Sequence, residues 1–195
     1  AEYELFAQAQ QALPCPEELQ NLPRPILGFV GALQRCIEYG FLAEAAQAHP
    51  EWSVVLIGGE KPGADLTALR ALPNVHFLGL KPHDALSSYM AQFDLCLNLF
   101  DASPLSRDVS PLKFYEYLAT GKPVVSTPQP EQVLQFADAI SIAHSAAEFT
   151  SACAEEAAHD TPERRERRLA YARACSWDAR VRQILDLLQA RGLWM

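Results

Sequence analysis

The sequence predicts an α/β protein with a doubly wound, Rossmann-like parallel sheet of six strands and flanking helices. Short runs of Val, Ile, Leu and Phe alternate along the chain with segments of helical periodicity. These runs are continuously apolar, which is typical of strands buried on both faces of a parallel sheet. Right-handed crossovers then cover both faces with helices and place the ligand crevice at the carboxyl ends of the strands.

The predicted elements follow one another in the order expected for this fold. Strands are predicted at residues 26–31, 54–58, 75–78, 94–100, 123–126 and 139–143. Helices are predicted between them at residues 37–48, 64–71, 83–91 and 111–120, and a helical C-terminal extension at 145–159, 162–174 and 177–190. Residues 1–24, rich in Gln, Ala and Pro, are interpreted as a linker or lead-in to a single domain at residues 25–195.

Composition and charge narrow the classes of function. The 195 residues are 49% hydrophobic, which suits one well-filled core, and the net charge of −8 argues against a nucleic-acid-binding protein. Residues 161–195 differ from the rest, with eight Arg against four acidic residues. The run from Arg164 to Arg168 is interpreted as a mixed-sign, solvated helix face. No apolar run approaches the roughly 18 residues of a membrane span, and the N-terminus lacks a signal pattern.

Cysteine and histidine spacing favours no metal site. The five cysteines are scattered and include no C-x-x-C, so neither structural zinc nor a disulfide framework is expected. Cys96 lies in an apolar run and is predicted to pack in the core. The five histidines lack metal-ligand spacing. Together these patterns favour a reducing, cytoplasmic location.

The stretch from Asp108 to Thr127 is the most informative one for function. Ser110 can cap a helix, Pro111 suits its first position because that N–H would be unpaired anyway, and Gly121 supplies the left-handed residue that ends it. A polar loop therefore leads into a helix N-terminus, whose free N–H groups and dipole attract anions.

Two charged side chains accompany this helix start. Lys113 and Glu116 lie only about 60° apart around the predicted helix, on the flank away from Phe114 and Leu118. A cation and a carboxylate beside an anion site suit a phosphorylated sugar or a nucleotide.

Two glycine motifs elsewhere are weak. Gly28-x-x-Gly31 lies at a strand end but lacks the third glycine of a dinucleotide fingerprint. Residues 58–63 have the glycine spacing of a P-loop, yet Ala64 and Asp65 follow where Lys and Ser or Thr are required. Both motifs are interpreted as tight turns, and the chain has no G-x-S-x-G nucleophile elbow.

Five segments in order resemble a known family. They are Ile-Leu-Gly-Phe-Val-Gly (26–31), Trp-Ser-Val-Val-Leu-Ile-Gly-Gly (52–59), Pro-Asn-Val-His-Phe-Leu-Gly (73–79), Phe-Asp-Leu-Cys-Leu-Asn-Leu-Phe (93–100) and Lys-Phe-Tyr-Glu-Tyr-Leu-Ala-Thr-Gly-Lys-Pro-Val-Val-Ser-Thr (113–127). Together with Ser-Trp-Asp at 176–178, they resemble the C-terminal, donor-binding domain of a GT-B fold glycosyltransferase of the family 4 kind. The resemblance covers roughly residues 25–188.

The family signature pairs two acidic residues with seven between them. Asp108 and Glu116 have this spacing, with Asp where the first Glu is usual. The resemblance implies that Glu116 binds the ribose hydroxyls of the nucleotide and that Asp108 lies near the donor sugar. A carboxylate can accept both hydrogen bonds of a vicinal diol, which agrees with the first role.

The resemblance assigns further residues to the nucleotide. They are Gly31, Ala32 and Arg35 after the first strand, Gly79, Leu80 and Lys81 after the third, and Ser110, Pro111, Leu112 and Lys113 at the helix start. In the family, the helix-start N–H groups take the pyrophosphate, the loop after the third strand holds the base, and Arg and Lys after the first strand clamp the phosphates. This chain lacks that Arg and Lys pair and offers Arg35, with Lys113 or Arg107, instead. Asp108 and Lys113 are the candidate catalytic residues.

The resemblance implies the donor half of a retaining, metal-independent hexosyltransferase, located in the cytoplasm or at the inner face of the membrane. It would use a UDP- or GDP-sugar, need no further cofactor, and act on a glycan or lipid with a preceding acceptor-binding domain. The full-length enzyme could associate peripherally with the membrane. Two alternatives remain open: a non-catalytic interaction domain derived from this fold, and half of another GT-B enzyme such as a sugar-nucleotide epimerase. The 195-residue piece alone is predicted to be inactive.

Overall fold

The computed structural model describes residues 1–107, 109 and 112–193, which form a six-stranded parallel sheet with helices on both faces. The strands are β1 Ile26–Val30, β2 Ser53–Ile57, β3 Val75–Gly79, β4 Leu95–Asn98, β5 Val124–Ser126 and β6 Ser141–Ile142. The helices are α1 Tyr3–Ala7, α2 Tyr39–Ala48, α3 Thr67–Arg70, α4 Leu86–Gln92, α5 Pro104–Arg107, α6 Leu112–Thr120, α7 Ala146–Ala158, α8 Pro162–Ala174 and α9 Trp177–Ala190. Short 3₁₀ turns lie at Gln8–Gln10, Glu17–Leu19, His83–Ala85 and Glu131–Phe136.

The sheet has the doubly wound architecture that the sequence predicts. Its spatial order is β3-β2-β1-β4-β5-β6, and each neighbouring pair runs parallel. The winding reverses between β1 and β4, which are adjacent in the sheet. In open sheets of this kind, ligands bind where the winding reverses, at the carboxyl ends of the strands.

The predicted elements are confirmed in type and differ mainly at their ends. Strands lie at all six predicted places, and α8 and α9 have the predicted bounds. β4 is shorter than predicted because Phe100 leaves the ladder and donates its N–H to the Thr127 hydroxyl instead. The sequence did not predict α1, α5 or the 3₁₀ turn at Glu131–Phe136, because such short segments carry almost no periodicity.

The helix that carries the predicted anion site is present as α6. It ends at Thr120, and Gly121 has a φ of +71° and donates its N–H to the Leu118 carbonyl oxygen, as the sequence predicts for the helix end. The predicted cap, Ser110, and the predicted first helical residue, Pro111, lie outside the described residues.

Apolar side chains fill both faces of the sheet. One core cluster joins α1, α4, α6 and α8 and includes Phe93 and Phe114. The other joins α2, α3 and α7 and includes Trp52 and Phe149. Cys96, in β4, is fully buried as predicted, and all five cysteines are free. Within the described ranges, no helix is both long enough and apolar enough to cross a membrane.

Residues 1–24 contribute to the core, which their interpretation as a linker or lead-in does not anticipate. Phe6 of α1 is fully buried, and Leu19 is buried in the 3₁₀ turn that precedes β1. α1 packs against α6 and α4. This segment therefore lies against the same face of the sheet as the helix that carries the predicted anion site.

The arginine run in α8 is not a simple solvated face. Arg168 is fully buried, and Arg164 pairs with the buried carboxylate of Glu156 at 2.5 Å. Arg165 and Arg167, in the same run, are exposed. The prediction of a solvated face is wrong for Arg168 because its guanidinium reaches backbone carbonyls of two other segments, which local charge patterning does not reveal.

Candidate functional site

The structure brings Lys113 and Gly31 together where the winding of the sheet reverses. Gly31 directly follows β1, and Lys113 lies in the first turn of α6, behind the carboxyl end of β4. Gly31 has a φ of +149°, and a Cβ at this position would overlap the Lys113 side chain. Glycine is therefore required here both by the backbone conformation and by the close approach of the lysine.

Lys113 is a half-buried cation. Its Nζ lies 4.9 Å from the centroid of the Phe29 ring, a cation–π contact. Burial lowers the pKa of Lys113 from 10.5 to about 8, against the opposing influence of Glu116. The ion pairs between described side chains do not include Lys113, although Glu116 lies one turn away. An anion that entered this crevice would place a counter-charge beside the ammonium.

Tyr117 sets the distance between α6 and β1. Its fully buried hydroxyl accepts the Val30 N–H at 2.8 Å and donates to the Val30 carbonyl oxygen at 3.1 Å. Val30 is the last residue of β1, so this double hydrogen bond fixes the first turns of α6 beside Gly31. It places Lys113 in its contact with Gly31.

Glu116 lies on the side of α6 that faces α1 and the loop after β3. Burial raises the pKa of its carboxyl, while the neighbouring His83 and Lys113 side chains oppose the rise. The His83 ring packs edge-on against Phe6 of α1, with 5.5 Å between the ring centroids. Glu116 is thus a desolvated carboxyl that hydroxyl donors from a ligand could satisfy.

A cavity of about 250 Å³ opens next to Gly31, at the carboxyl ends of β1, β2 and β3. Four of the predicted nucleotide residues contribute to its wall, namely Gly31, Ala32, Leu80 and Lys81. Gly79, the last residue of β3, has a φ of +66° and leads into the loop that contains Leu80 and Lys81. The exposed Leu80 side chain lies over the backbone at Gly59.

Lys81 is held by the N-terminal segment. Its ammonium forms an ion pair with the Glu18 carboxylate, which also accepts a hydrogen bond from the Tyr89 hydroxyl at 2.9 Å. The Lys81 Nζ lies 5.4 Å from the centroid of the Tyr89 ring. The hydrogen bond to Glu18 raises the pKa of Lys81. The hydrogen bonds that Glu18 accepts from Lys81 and Tyr89 lower the pKa of Glu18, so both groups remain ionised near neutral pH.

The loop after β4 is tied to the loop after β1. Asp101 donates its N–H to the Cys36 carbonyl oxygen at 2.9 Å, and the Ser106 Oγ lies 3.3 Å from the same oxygen. The Asp101 carboxylate accepts hydrogen bonds from both hydroxyls, of Ser103 and Ser106, at 2.5 Å. Although burial opposes it, these bonds hold the pKa of Asp101 below its ordinary value. The network gives the crevice a rigid wall on this side.

Other predicted site residues lie further out or outside the described part of the chain. Arg35 is exposed and packs beside Gly63 rather than on the cavity wall, and Arg107, at the end of α5, is also exposed. Leu112 is exposed at the start of α6. Asp108, predicted to be catalytic, lies outside the described residues, as do Ser110 and Pro111.

Sequence reasoning missed three contributors to this region. Lys61 lines the cavity, Phe29 forms the floor beneath the Lys113 ammonium, and Glu18 holds Lys81. Lys61 could have been found, because it follows a glycine pair at a strand end. Phe29 and Glu18 carry no local signal for a site. Across the residues that the structure describes, no group of three or more His, Cys, Asp or Glu side chains is arranged to hold a metal ion.

The fold is shared with several solved glycosyltransferase structures. The UDP complex of Anabaena Alr3699/HepE superposes with a TM-score of 0.72 at 19% identity, covering 97% of this chain and 56% of that one. The C-terminal domain of the group 1 glycosyl transferase LpcC from Francisella tularensis superposes with a TM-score of 0.60 at 16% identity, covering 88% of this chain and 92% of that domain. At these identities the similarity shows the fold alone.

Sequence comparison shows the family. TuaH of Bacillus subtilis (strain 168), assigned as a teichuronic acid biosynthesis glycosyltransferase, is 35% identical over 131 residues. The match covers 66% of this chain and 33% of TuaH, so the chain spans about a third of that relative's length. The profile of the family described as "Glycosyl transferases group 1" matches residues 24–158. The chain therefore belongs to the glycosyl transferases group 1 family and corresponds to the C-terminal domain of its GT-B fold.

Proposed function

We propose that this chain holds the nucleotide-sugar donor of a retaining, metal-independent glycosyltransferase, which transfers a hexosyl group from a UDP- or GDP-sugar. The observation that carries this proposal is the half-buried Lys113 side chain, whose ammonium lies over the Phe29 ring and beside Gly31 where the winding of the sheet reverses. A diphosphate in this crevice would meet that cation and the N–H groups at the start of α6, Leu112 and Lys113 included.

In the proposed reaction, the bond between the sugar and the diphosphate breaks, the sugar forms a bond to the acceptor hydroxyl oxygen, and the proton of that hydroxyl passes to the departing diphosphate. Negative charge develops on the departing phosphate oxygens as the first bond breaks. Lys113 and the helix-start amides stabilise that charge, which makes Lys113 a catalytic residue. Asp108, Ser110 and Pro111 are proposed neighbours of the donor sugar and the phosphates on the basis of the family signature. Arg35, an exposed residue in the loop after β1, is proposed as a second cation for the diphosphate.

The nucleoside lies against Glu116 and in the cavity beside Gly31. The ribose hydroxyls donate two charge-assisted hydrogen bonds to the Glu116 carboxylate. These bonds replace the hydration that the carboxylate loses through burial. The base enters the cavity beside Gly31 and Ala32, against the loop formed by Gly79, Leu80 and Lys81. The cavity volume of about 250 Å³ accommodates a nucleobase.

Replacing Glu116 by Gln tests the ribose assignment and the proposal as a whole. The wild-type chain should show a thermal shift of roughly 5 °C with UDP, GDP or ADP, or their sugars, at a hundredfold excess over Kd. Gln keeps the volume but cannot accept both hydroxyls as a charged group, so we expect most of the shift to be lost. Glu44→Gln, on the exposed face of α2, is the matched control and should keep the wild-type shift.

The outcomes of this titration separate the candidates. A wild-type chain that responds to none of these nucleotides would favour the non-catalytic interaction domain, an alternative that the outward position of Arg35 supports. A full shift in Glu116→Gln would disprove the ribose assignment while leaving nucleotide binding intact.

We further propose that an acceptor-binding domain precedes this one in the whole enzyme and completes its cleft. α9 supports this, since none of its residues is buried within the described structure. Trp177, Val181, Ile184 and Leu187 are between 52% and 58% exposed and follow helical spacing, so they form an apolar stripe. An exposed stripe of this kind indicates a partner surface.

The 195-residue chain alone is expected to bind nucleotide weakly and to show no glycosyl transfer. In this proposal the acceptor-binding domain forms the other wall of the reaction cleft, binds the acceptor and helps to exclude water, so transfer requires both domains. Release of UDP or GDP from the matching sugar nucleotide would be measured with and without candidate glycan acceptors. Robust turnover by this chain alone would contradict the expectation.

The similarity to TuaH favours a polysaccharide, or a lipid that carries one, as the acceptor. Five free cysteines fit a reducing compartment, so we propose that transfer takes place in the cytoplasm, or at the inner face of the membrane if the whole enzyme associates with it. The nucleotide-sugar donor is a substrate, and the proposal includes no cofactor.

A further inference from the structure

We infer that Glu18, in the N-terminal segment, is a positioning residue for the nucleoside: it acts through Lys81 and holds the loop after β3 in its base-binding shape. This inference rests on the proposed function, because it assigns a role within the same site. It also gives residues 1–24 a part in donor recognition.

Glu18 is itself fixed at two points. Its 3₁₀ turn is anchored by Leu19, which is buried in the core, and its carboxylate accepts the hydroxyl hydrogen of Tyr89 in α4. Lys81 donates to the same carboxylate. The Lys81 side chain is 17% exposed and that of Glu18 is 41% exposed, so the pair is partly shielded from solvent.

The pairing determines which part of Lys81 faces the cavity. The Lys81 ammonium is paired with Glu18 and lies near the Tyr89 ring, and Lys81 also lines the cavity, so we assign the aliphatic stem of Lys81 to the cavity wall. The stem then continues the apolar surface that Leu80 begins. Without Glu18, the ammonium would be free to enter the site as a second cation near the phosphates, and the loop would lose its anchor.

Loss of Glu18 should change the affinity for a nucleotide and the affinity for a diphosphate without a base in opposite directions. Loss of the anchor weakens contact with the base, whereas release of a cation strengthens attraction for a diphosphate that carries no base. General damage to the fold would weaken both in parallel. Comparing UDP with inorganic pyrophosphate therefore distinguishes positioning from a merely structural role.

The test uses Glu18→Gln in the 195-residue chain, with UDP, GDP and pyrophosphate titrated calorimetrically at equal ionic strength. We expect the Kd for UDP and GDP to rise about fivefold, about 1 kcal/mol, while the Kd for pyrophosphate stays constant or falls. Glu17→Gln, on the same turn and exposed, is the matched control and should match the wild type. Equal changes for UDP and pyrophosphate, or no change for UDP, would overturn the inference.

A double-mutant cycle provides a second measurement based on UDP alone. Lys81→Met keeps the aliphatic stem and removes the ammonium, so it should weaken the binding of UDP as much as Glu18→Gln does. The double variant should bind UDP no more weakly than either single variant. Additive losses would show that the two side chains act independently and would refute the inference. A wild-type chain that binds none of the three ligands would instead refute the proposed function.

Discussion

Replacing Lys113 by Met is expected to weaken the binding of UDP or GDP at least about 30-fold. The same change should raise the free energy of unfolding at pH 7 by about 2 kcal/mol. Both effects come from one feature, a half-buried lysine whose ammonium lies against the Phe29 ring and the Gly31 backbone. Partial burial makes the charge costly in the free protein, and an anion that enters the crevice would offset that cost.

The stability gain depends on pH in a direction that the pKa determines. Folding lowers the pKa of Lys113 to about 8, whereas an unfolded lysine titrates near about 10.4. Between these values the unfolded chain binds more protons than the folded chain, so the wild-type free energy of unfolding rises with pH across this window. The advantage of the Met variant should therefore be complete below about pH 8 and disappear by about pH 10.5.

The same titration predicts the pH dependence of binding. Lys113 is charged in the free protein only below its pKa of about 8. The wild-type affinity for UDP should therefore fall as the pH rises above that value, and the residual affinity of the Met variant should lack this step.

Urea denaturation at several pH values, combined with UDP titration, checks both effects of the Lys113 change. Lys122→Met is the matched control. Lys122 follows α6 at its other end, and burial lowers the pKa of this lysine as well. Its replacement should also raise stability but leave UDP binding unchanged. If Lys113→Met bound UDP within twofold of the wild type, or were less stable than it at pH 7, our account of this residue would be wrong.

The fold could be predicted because its signals are local. The strands lie in predominantly apolar runs, of which β1 and β2 are the clearest. α8 and α9 begin after Thr161 and Ser176, whose hydroxyls accept the N–H of the residue three positions on. Gly121 ends α6 because no other residue adopts its positive φ as easily. None of these features depends on a distant part of the chain.

The site could be predicted only in part because its geometry depends on pairs that are distant in sequence. Lys113 and Glu116 were recognisable at a helix start, but the approach of Lys113 to Gly31 depends on the adjacency of β1 and β4. Glu18 and Lys81 are 63 positions apart, and the composition of residues 1–24 indicates only a lead-in. Long-range pairs of this kind become visible only once the sheet order is known.

The largest loss of stability is expected from Arg168, which was predicted to be solvated and is fully buried. Its guanidinium donates to the Gly121 carbonyl oxygen from Nε at 3.2 Å and from Nη2 at 3.0 Å, and to the Ala139 carbonyl oxygen at 3.1 Å. Nη2 also lies 2.5 Å from the Asp160 carboxylate. Arg168 thus connects α8 to the end of α6 and to the segment that enters β6.

Arg168→Met should lower the free energy of unfolding by about 3 kcal/mol, because it leaves the carbonyl groups of the buried Gly121 and Ala139 without a donor and removes the partner of the Asp160 carboxylate. Arg168→Lys should recover little of this loss, since an ammonium cannot reproduce the planar fork that serves both carbonyls and Asp160.

Arg167→Met is the matched control one position away in α8. Arg167 pairs with Asp138 at 3.7 Å with both side chains about half exposed, so its replacement should cost less than about 1 kcal/mol. Urea denaturation of the three variants measures these differences. A loss for Arg168→Met no larger than that for Arg167→Met would mean that water replaces the guanidinium at Gly121 and Ala139. In that case α6 would be held by its contacts with β1, chiefly through Tyr117, and not by α8.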